Sequence, residues 1–494
     1  MFSSIQLSRP KIRDALIRAW RSPRLFAMVL LAVAVLFGAH YRFHRLDRWD
    51  INGAEGSVWT AVVEPNVCAV AARFWQVEFG GKHPVYDLVL HEWVRVFGAS
   101  LFAMRAMSAA LGAISIVLLF FVVREVCYAL GGEAWIDVGE MAGAFAALIY
   151  AVNITFIIWD RTAREFSLLI ATELAQIIFF MRAQRRGVFD DYLGLAIFTA
   201  VMLPINYSAS FLLITEALWL GYLLAAKWTG SARARQLKVF RPGFAILAGT
   251  ALLAPLIPEA YDSSRAALAW IGTKLIKVEP IWWPYTVMRD MIGQSVLFWL
   301  LGVLIACGIW RQWRRSRLVV GFLAIWTAGP VFAAFGETYL MRPIEMPRYV
   351  LVAFVGFFAF AGFGAACFRS TSVRIALAAM IVGISAPTIH RSLKISLNGD
   401  WRKATALAIS YISPREQIAV FPSYDLEAVR FYLPPERRAA AIAMDSNPVE
   451  TKCGTAPVSI FRGNTRATPE QTAAIEACYP RVVEKLNLLE VRAR

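Results

Sequence analysis

Four short segments carry the charged side chains that could do chemistry, and three of them border a long apolar run. Arg45 to Trp59 holds Asp47, Asp50 and Glu55, carboxylates of the type that takes a proton from a hydroxyl. Solvated acids of an ordinary outer loop fit the same spacing. Gly80 to Tyr86 places Lys82 and His83 just before Pro84, a favourable first residue of a helix. A basic pair at a helix N-terminus suits an anion, although a lysine that only anchors the helix at the interface would look alike. Trp159 to Phe166 crowds Asp160, Arg161, Arg164 and Glu165 into one turn between apolar runs. Charges so near hydrocarbon are costly unless paired or lining a wet cavity, so a functional site and a structural Asp160/Arg164 pair are the alternatives. Glu337 to Tyr349 contributes Arg348, whose fork can hold two phosphate oxygens at once or can snorkel to the interface.

The elements that must position these residues are membrane helices. Of 494 residues, 58% are hydrophobic and only 17% charged, with a mean hydropathy of +0.53, far from soluble averages. The net charge of +16 gathers in short loops between apolar runs, which reads as membrane topology and excludes a nucleic-acid surface. The first run, Leu25 to Tyr41, follows Arg9, Lys11, Arg13, Arg18, Arg21 and Arg24 and reads as an uncleaved anchor with a cytoplasmic N-terminus. Ten more runs of spanning length lie near 101–123, 140–159, 165–182, 191–206, 208–226, 240–258, 294–310, 318–336, 349–368 and 375–391. Alternation then puts Arg182, Arg185 and Arg186, the group from Lys227 to Lys238, and Arg311 to Arg317 inside, in agreement with the positive-inside rule.

The expected architecture is an α-helical polytopic protein of about eleven spans in a module over 1–392, with outer segments 42–100 and 259–293. A small extracytoplasmic α/β domain follows over 393–494. Surface-lying amphipathic helices are expected at Ala54 to Val63 and Val85 to Phe97. In the tail, helices are expected at 401–412 and 425–433 and strands at 417–421 and 457–461. The six cysteines show no CxxC and no zinc-type spacing with histidine. Cys453 and Cys478 both fall in the outer tail, where an oxidising compartment favours a disulfide between them.

Taken in order, the four segments resemble those of a GT-C glycosyltransferase of the protein-mannosyltransferase-like superfamily, which includes the lipid A aminoarabinose transferase. That family has an acidic Asp-Glu motif in its first outer loop, then a (Lys/His)-Pro-Pro-Leu-Tyr-Tyr helix and a Phe-Gly-x-Ser-x-Phe-Ala-x-Arg run. This chain has His83-Pro84-Val85-Tyr86 and Phe97-Gly98-Ala99-Ser100-Leu101-Phe102-Ala103-Met104-Arg105. The family's Ser-Gln-Glu-Ala-Arg-Pro-Tyr turn is similar to Asp160-Arg161-Thr162-Ala163-Arg164-Glu165-Phe166, and its late Pro-x-Arg-Tyr signature to Pro347-Arg348-Tyr349. The tail, with Asp400-Trp401-Arg402, Tyr424 and Arg430 to Leu433, resembles the outer α/β domain of many members. Ala54-Glu55 stands where Asp-Glu is expected, so the usual aspartate is missing and Glu55 or Asp50 must supply the base, with Glu55 favoured.

The resemblance implies an inverting transfer from a polyprenyl-phosphate sugar donor to the hydroxyl of a glycan, lipid or protein acceptor, in a bacterial inner membrane. Arg164 and Arg348 would hold the carrier phosphate, supported by Lys82, His83 and Arg105. Tyr86, Tyr349, Lys274 and Lys277, beside Trp282 and Trp283, would contact sugar or lipid. Asp160 would position the acceptor or a divalent cation, although no ligand cluster requires a metal. A lipid flippase or small-molecule transporter is the alternative, for which broken midplane helices and repeated halves would be expected. A third is a scaffold without catalysis, suggested by the absent aspartate.

Overall fold

A computed structural model describes residues 22–73, 84–256, 258, 283–337, 347–395, 398–444, 456–462 and 469–493. Its helices begin with α1 (Pro23–Phe43), α2 (Gly53–Val62), α3 (Val67–Arg73), α4 (Pro84–Phe97), α5 (Leu101–Gly131), α6 (Ile136–Val152) and α7 (Ile154–Asp160). They continue with α8 (Phe166–Arg185), α9 (Phe189–Ile205), α10 (Ser210–Trp228), α11 (Ala232–Gln236), α12 (Phe240–Ala251), α13 (Trp283–Ile292), α14 (Ser295–Gln312), α15 (Arg317–Gly336), α16 (Leu351–Ala366) and α17 (Thr371–Lys394). Among the described residues nine helices are long and apolar enough to cross a membrane, and the chain is an integral membrane protein. The remaining two expected spans fall on α9 and α12, of 17 and 12 residues. The run expected at 240–258 continues past α12 into residues only partly described.

Enclosure differs sharply between spans: 89% of the window in α16 is buried, against 33% in α1 and 28% in α17. The bundle is therefore built around α16, α6 and α8, while α1 and α17 keep much of their surface for lipid. Lipid supplies no hydrophobic drive between helices, so close packing depends on small residues. At Gly364 a Cβ would collide with the Leu304 carbonyl, which is how α16 and α14 come together.

The two ends of the bundle carry different segments. At one end Arg24 donates to Asp137 at 2.7 Å, Arg185 to Glu125 at 2.7 Å and Arg233 to the Ala129 carbonyl at 2.6 Å. These are the loops read as inner from their positive charge. At the other end lie the loop 44–52, α2, α4 and the turn 161–165.

The C-terminal elements are α18 (Trp401–Ser410), α19 (Leu426–Tyr432), α20 (Pro469–Cys478) and five strands, β1 (Ile418–Phe421), β2 (Ala441–Ala443), β3 (Val458–Phe461), β4 (Arg481–Leu486) and β5 (Leu489–Ala493). The sheet order is β2-β1-β3-β5-β4, with β1 parallel to β2 and β3 and β5 antiparallel to β3 and β4. All four residues of β1 and of β3 are buried, and both central strands are apolar apart from Ser459, as expected of strands covered on both faces. The unit rests on α2. A Cβ on Gly56 would stand 2.8 Å from the Ala428 nitrogen, the Trp59 ring meets Phe431 edge-on at 5.3 Å, and the Ile51 N–H donates to the Tyr432 hydroxyl at 3.0 Å.

Cys68, Cys127, Cys307 and Cys367 are free thiols, whereas Cys478 is disulfide-bonded. Its expected partner, Cys453, lies outside the described residues. The pairing is tested by non-reducing peptide mapping of protein folded in its native compartment: one linked Cys453/Cys478 peptide is expected, and separately alkylatable thiols at both positions would reject the bridge.

Candidate active site

Glu55 opens α2 in a reciprocal cap, in which Asn52 Oδ1 accepts from the Glu55 N–H at 2.9 Å and Glu55 Oε2 accepts from the Asn52 N–H at 3.3 Å. The same carboxylate receives Arg105 in a two-bond fork, Nε to Oε1 at 2.8 Å and Nη2 to Oε2 at 2.7 Å, and the Ala163 N–H at 2.9 Å. Both side chains are fully buried. Arg105 also donates to the carbonyls of Leu46, Trp49 and Asp50. Glu55 thus joins the outer loop, α5 and the turn 161–165, and its oxygens are already occupied by four donors. The aspartate missing at Ala54 is not replaced by a free carboxylate here.

Asp160 ends α7 in a second buried ion pair. It accepts from Arg42 Nε at 2.7 Å and from the Ser167 hydroxyl at 2.7 Å, with the Tyr150 hydroxyl at 3.5 Å. Its partner is Arg42 of α1, not Arg164 as the sequence suggested for a structural pair. Arg161 turns back onto the last turn of α1, giving bonds of 2.8 to 3.2 Å to the carbonyls of Tyr41, Arg42, His44 and Arg45. A cation there satisfies the orphan carbonyls of the helix end.

Arg164 donates to Glu165 through Nε at 2.8 Å and Nη2 at 3.1 Å, and Asn206 donates to the same carboxylate at 3.4 Å. Burial works against the Arg164 charge, but Glu165 outweighs it and holds the guanidinium above its ordinary pKa, with Tyr86 and Tyr349 adding to the effect. The Tyr86 hydroxyl meets the Ser108 hydroxyl at 3.2 Å, and Ser108 donates to the Arg164 carbonyl at 3.4 Å. The turn therefore brings Arg164, Tyr86 and Tyr349, drawn from three of the segments singled out in the sequence, into one neighbourhood.

Asp87 joins them, and sequence reasoning missed it. It lies in the first turn of α4, where an acid is ordinary because the helix dipole favours it, so nothing in the pattern marked it. Its Oδ1 is buried with no hydrogen-bond partner. Burial first, then the charge of Glu165, pushes its carboxyl up to about 7 against the pull of Arg164 and Arg73.

Asp50 accepts the Arg402 N–H at 2.8 Å, against the C-terminal unit. Arg348 lies over its neighbour Tyr349, 5.5 Å from the ring centre. Lys82, His83, Lys274, Lys277 and Cys453 lie outside the described residues. No cluster of three or more metal-ligating side chains occurs among the described residues.

No family model and no curated protein matches the sequence. Solved structures do. The apo structure of ArnT from Cupriavidus metallidurans superposes with a TM-score of 0.57 at 13% identity, over 95% of this chain and 97% of that one. The same protein bound to undecaprenyl phosphate gives 0.54 at 14% identity, over 95% and 98%. The Archaeoglobus fulgidus oligosaccharyltransferase tethered to an acceptor peptide gives 0.54 at 11% identity, over 88% of this chain and 69% of that one. The chain shares the fold of these ArnT and oligosaccharyltransferase structures.

The geometry around Glu55 gives a direct test. Arg105→Ala strands a buried carboxylate and Glu55→Gln strands a buried guanidinium, each costing about 3 to 5 kcal/mol. Thermal unfolding of the purified protein should show a large loss for both. Wild-type melting in both variants would contradict the pair's holding role.

Proposed function

We propose that the chain is an inverting membrane glycosyltransferase that moves a sugar from a polyprenyl-phosphate donor to an acceptor hydroxyl, at the outer face of a bacterial inner membrane. The observation that carries this reading is the meeting of a charged arginine, Arg164, with an unpartnered carboxylate oxygen of Asp87 on a fold shared with an undecaprenyl phosphate-bound protein. The two groups match the two demands of the reaction. The carrier departs as a phosphate anion and needs positive charge placed beforehand. The acceptor must lose a proton as its oxygen attacks the anomeric carbon.

In this reading Glu165 orients Arg164 through Nε and Nη2, which leaves Nη1 for a phosphate oxygen. Arg348 supplies a second cation, and Tyr86 and Tyr349 border the sugar. Asp87 takes the proton of the acceptor hydroxyl while the bond from the anomeric carbon to the phosphate oxygen breaks. A carboxyl held near neutrality is a stronger base than an ordinary aspartate and is still half ionised at physiological pH. Glu55 and Asp160 act one layer out, by fixing the loop and the turn on which these groups stand.

Purified full-length protein in lipid nanodiscs, supplied with a polyprenyl-phosphate sugar, tests this. Asp87→Asn should lower transfer by about 10² to 10⁴ while carrier binding persists. Arg164→Ala should weaken carrier binding by about 1.5 to 3 kcal/mol. Because the ionised carboxylate is the active form, the rate should climb with pH and level off above about 7. Wild-type turnover in Asp87→Asn, or a rate flat across that range, would remove Asp87 from the mechanism.

A further inference from the structure

Between the site-side ends of α1 and α17 lies a cavity of about 220 Å³. Three imidazoles line it, His40 and His44 from α1 and its following turn and His390 from α17, with the first two ring centres 5.1 Å apart. Arg45, Arg48 and Lys394 complete the rim, all exposed. Arg161 forms the buried wall, with its Nε unpartnered. Among the described residues no carboxylate lines the cavity. The nearest acids in sequence are Asp47, exposed on the turn, and Asp160, already held by Arg42. Burial and the positive charges of His40, Arg45, Arg161 and Arg48 hold His44 below the usual histidine range. So many like charges facing one space are mutually repulsive, and an anion between them relieves that repulsion.

The walls say what kind of anion fits. One turn below His40 and Tyr41, Leu36 and Phe37 of α1 are exposed, and Ile395 is exposed beside Lys394. These belong to the two spans that keep much of their surface for lipid. A cationic pocket opening onto apolar, lipid-facing helix surface suits a molecule with a phosphate head and acyl chains. We propose that this pocket binds the phosphate headgroup of a membrane lipid, separately from the carrier site at Arg164. The proposal stands on the pocket alone and does not depend on the transfer reaction.

Native mass spectrometry of the full-length protein, titrated with dioleoyl phosphatidic acid, dioleoyl phosphatidylcholine or inorganic phosphate, decides it. Phosphatidic acid should bind, and phosphatidylcholine and inorganic phosphate should bind at least about ten-fold more weakly. The triple variant Arg45→Ala/Arg48→Ala/Lys394→Ala should lose phosphatidic acid by at least about ten-fold, with Arg391→Ala, on the same helix but outside the pocket, unchanged. His390→Ala is the milder companion should the triple variant fold poorly, and it too should weaken binding. Affinity should rise as the pH falls below about 6.5, where His44 gains a proton. Inorganic phosphate binding as tightly as the lipid would reassign the pocket to a free anion. Unchanged lipid affinity in both His390→Ala and a folded triple variant would overturn the site.

Discussion

A charge removed from water must meet an opposite charge or neutralise, and a segment that carries one is bound wherever that partner stands. Glu55 and Arg105 obey this constraint, and the end of the bundle that carries α2 and α4 depends on it. Fifty positions apart in the chain, they meet in a fully buried fork that also takes the Ala163 N–H and three loop carbonyls. One contact thereby fixes the loop after α1, the start of α5 and the turn before α8. Arg42 and Asp160 repeat the device one layer deeper, and Arg161 ties the same turn to the end of α1. The C-terminal unit then rests on α2 through Trp59, Gly56 and Ile51, so its position follows from that of Glu55.

Because these pairs are satisfied internally, they leave the groups around them to function. Arg164 keeps a strong positive charge through Glu165, its immediate chain neighbour, and Asn206 steadies that carboxylate. Asp87 has no such partner for Oδ1, and the electrostatic cost of that position shows in a carboxyl pushed up to about 7. In the proposed mechanism the structural pairs are saturated and the working groups are left incomplete, a division that matches how perturbed groups gather at functional sites.

Much of the fold was legible in the chain. Each of the eleven apolar runs overlaps helix, although 140–159 is divided between α6 and α7 at Asn153 and 240–258 outlasts α12, because a bilayer demands long hydrophobic segments that composition cannot conceal. Strands expected at 417–421 and 457–461 became β1 and β3 for a similar reason, being largely apolar, with Gln417 and Ser459 the exceptions, and lying next to prolines. The site was legible only in its segments. That Glu55 is consumed by Arg105 depends on a tertiary approach across fifty residues, which no local spacing encodes. Nothing in the sequence singled out Arg42, at a helix end, and its partnership with Asp160 was equally invisible. Asp87 was passed over because an acid in the first turn of an amphipathic helix needs no special explanation.

The central claim is that the outer loop and the turn 161–165 are held in place so that Arg164 can receive a phosphate beside Asp87. Cryo-electron microscopy of the full-length protein with bound polyprenyl phosphate tests it most directly. The account predicts a phosphate within hydrogen-bond reach of Arg164, close to Asp87, with the Glu55/Arg105 fork unchanged. A phosphate bound away from Arg164, with that guanidinium still engaged only by Glu165, would contradict it.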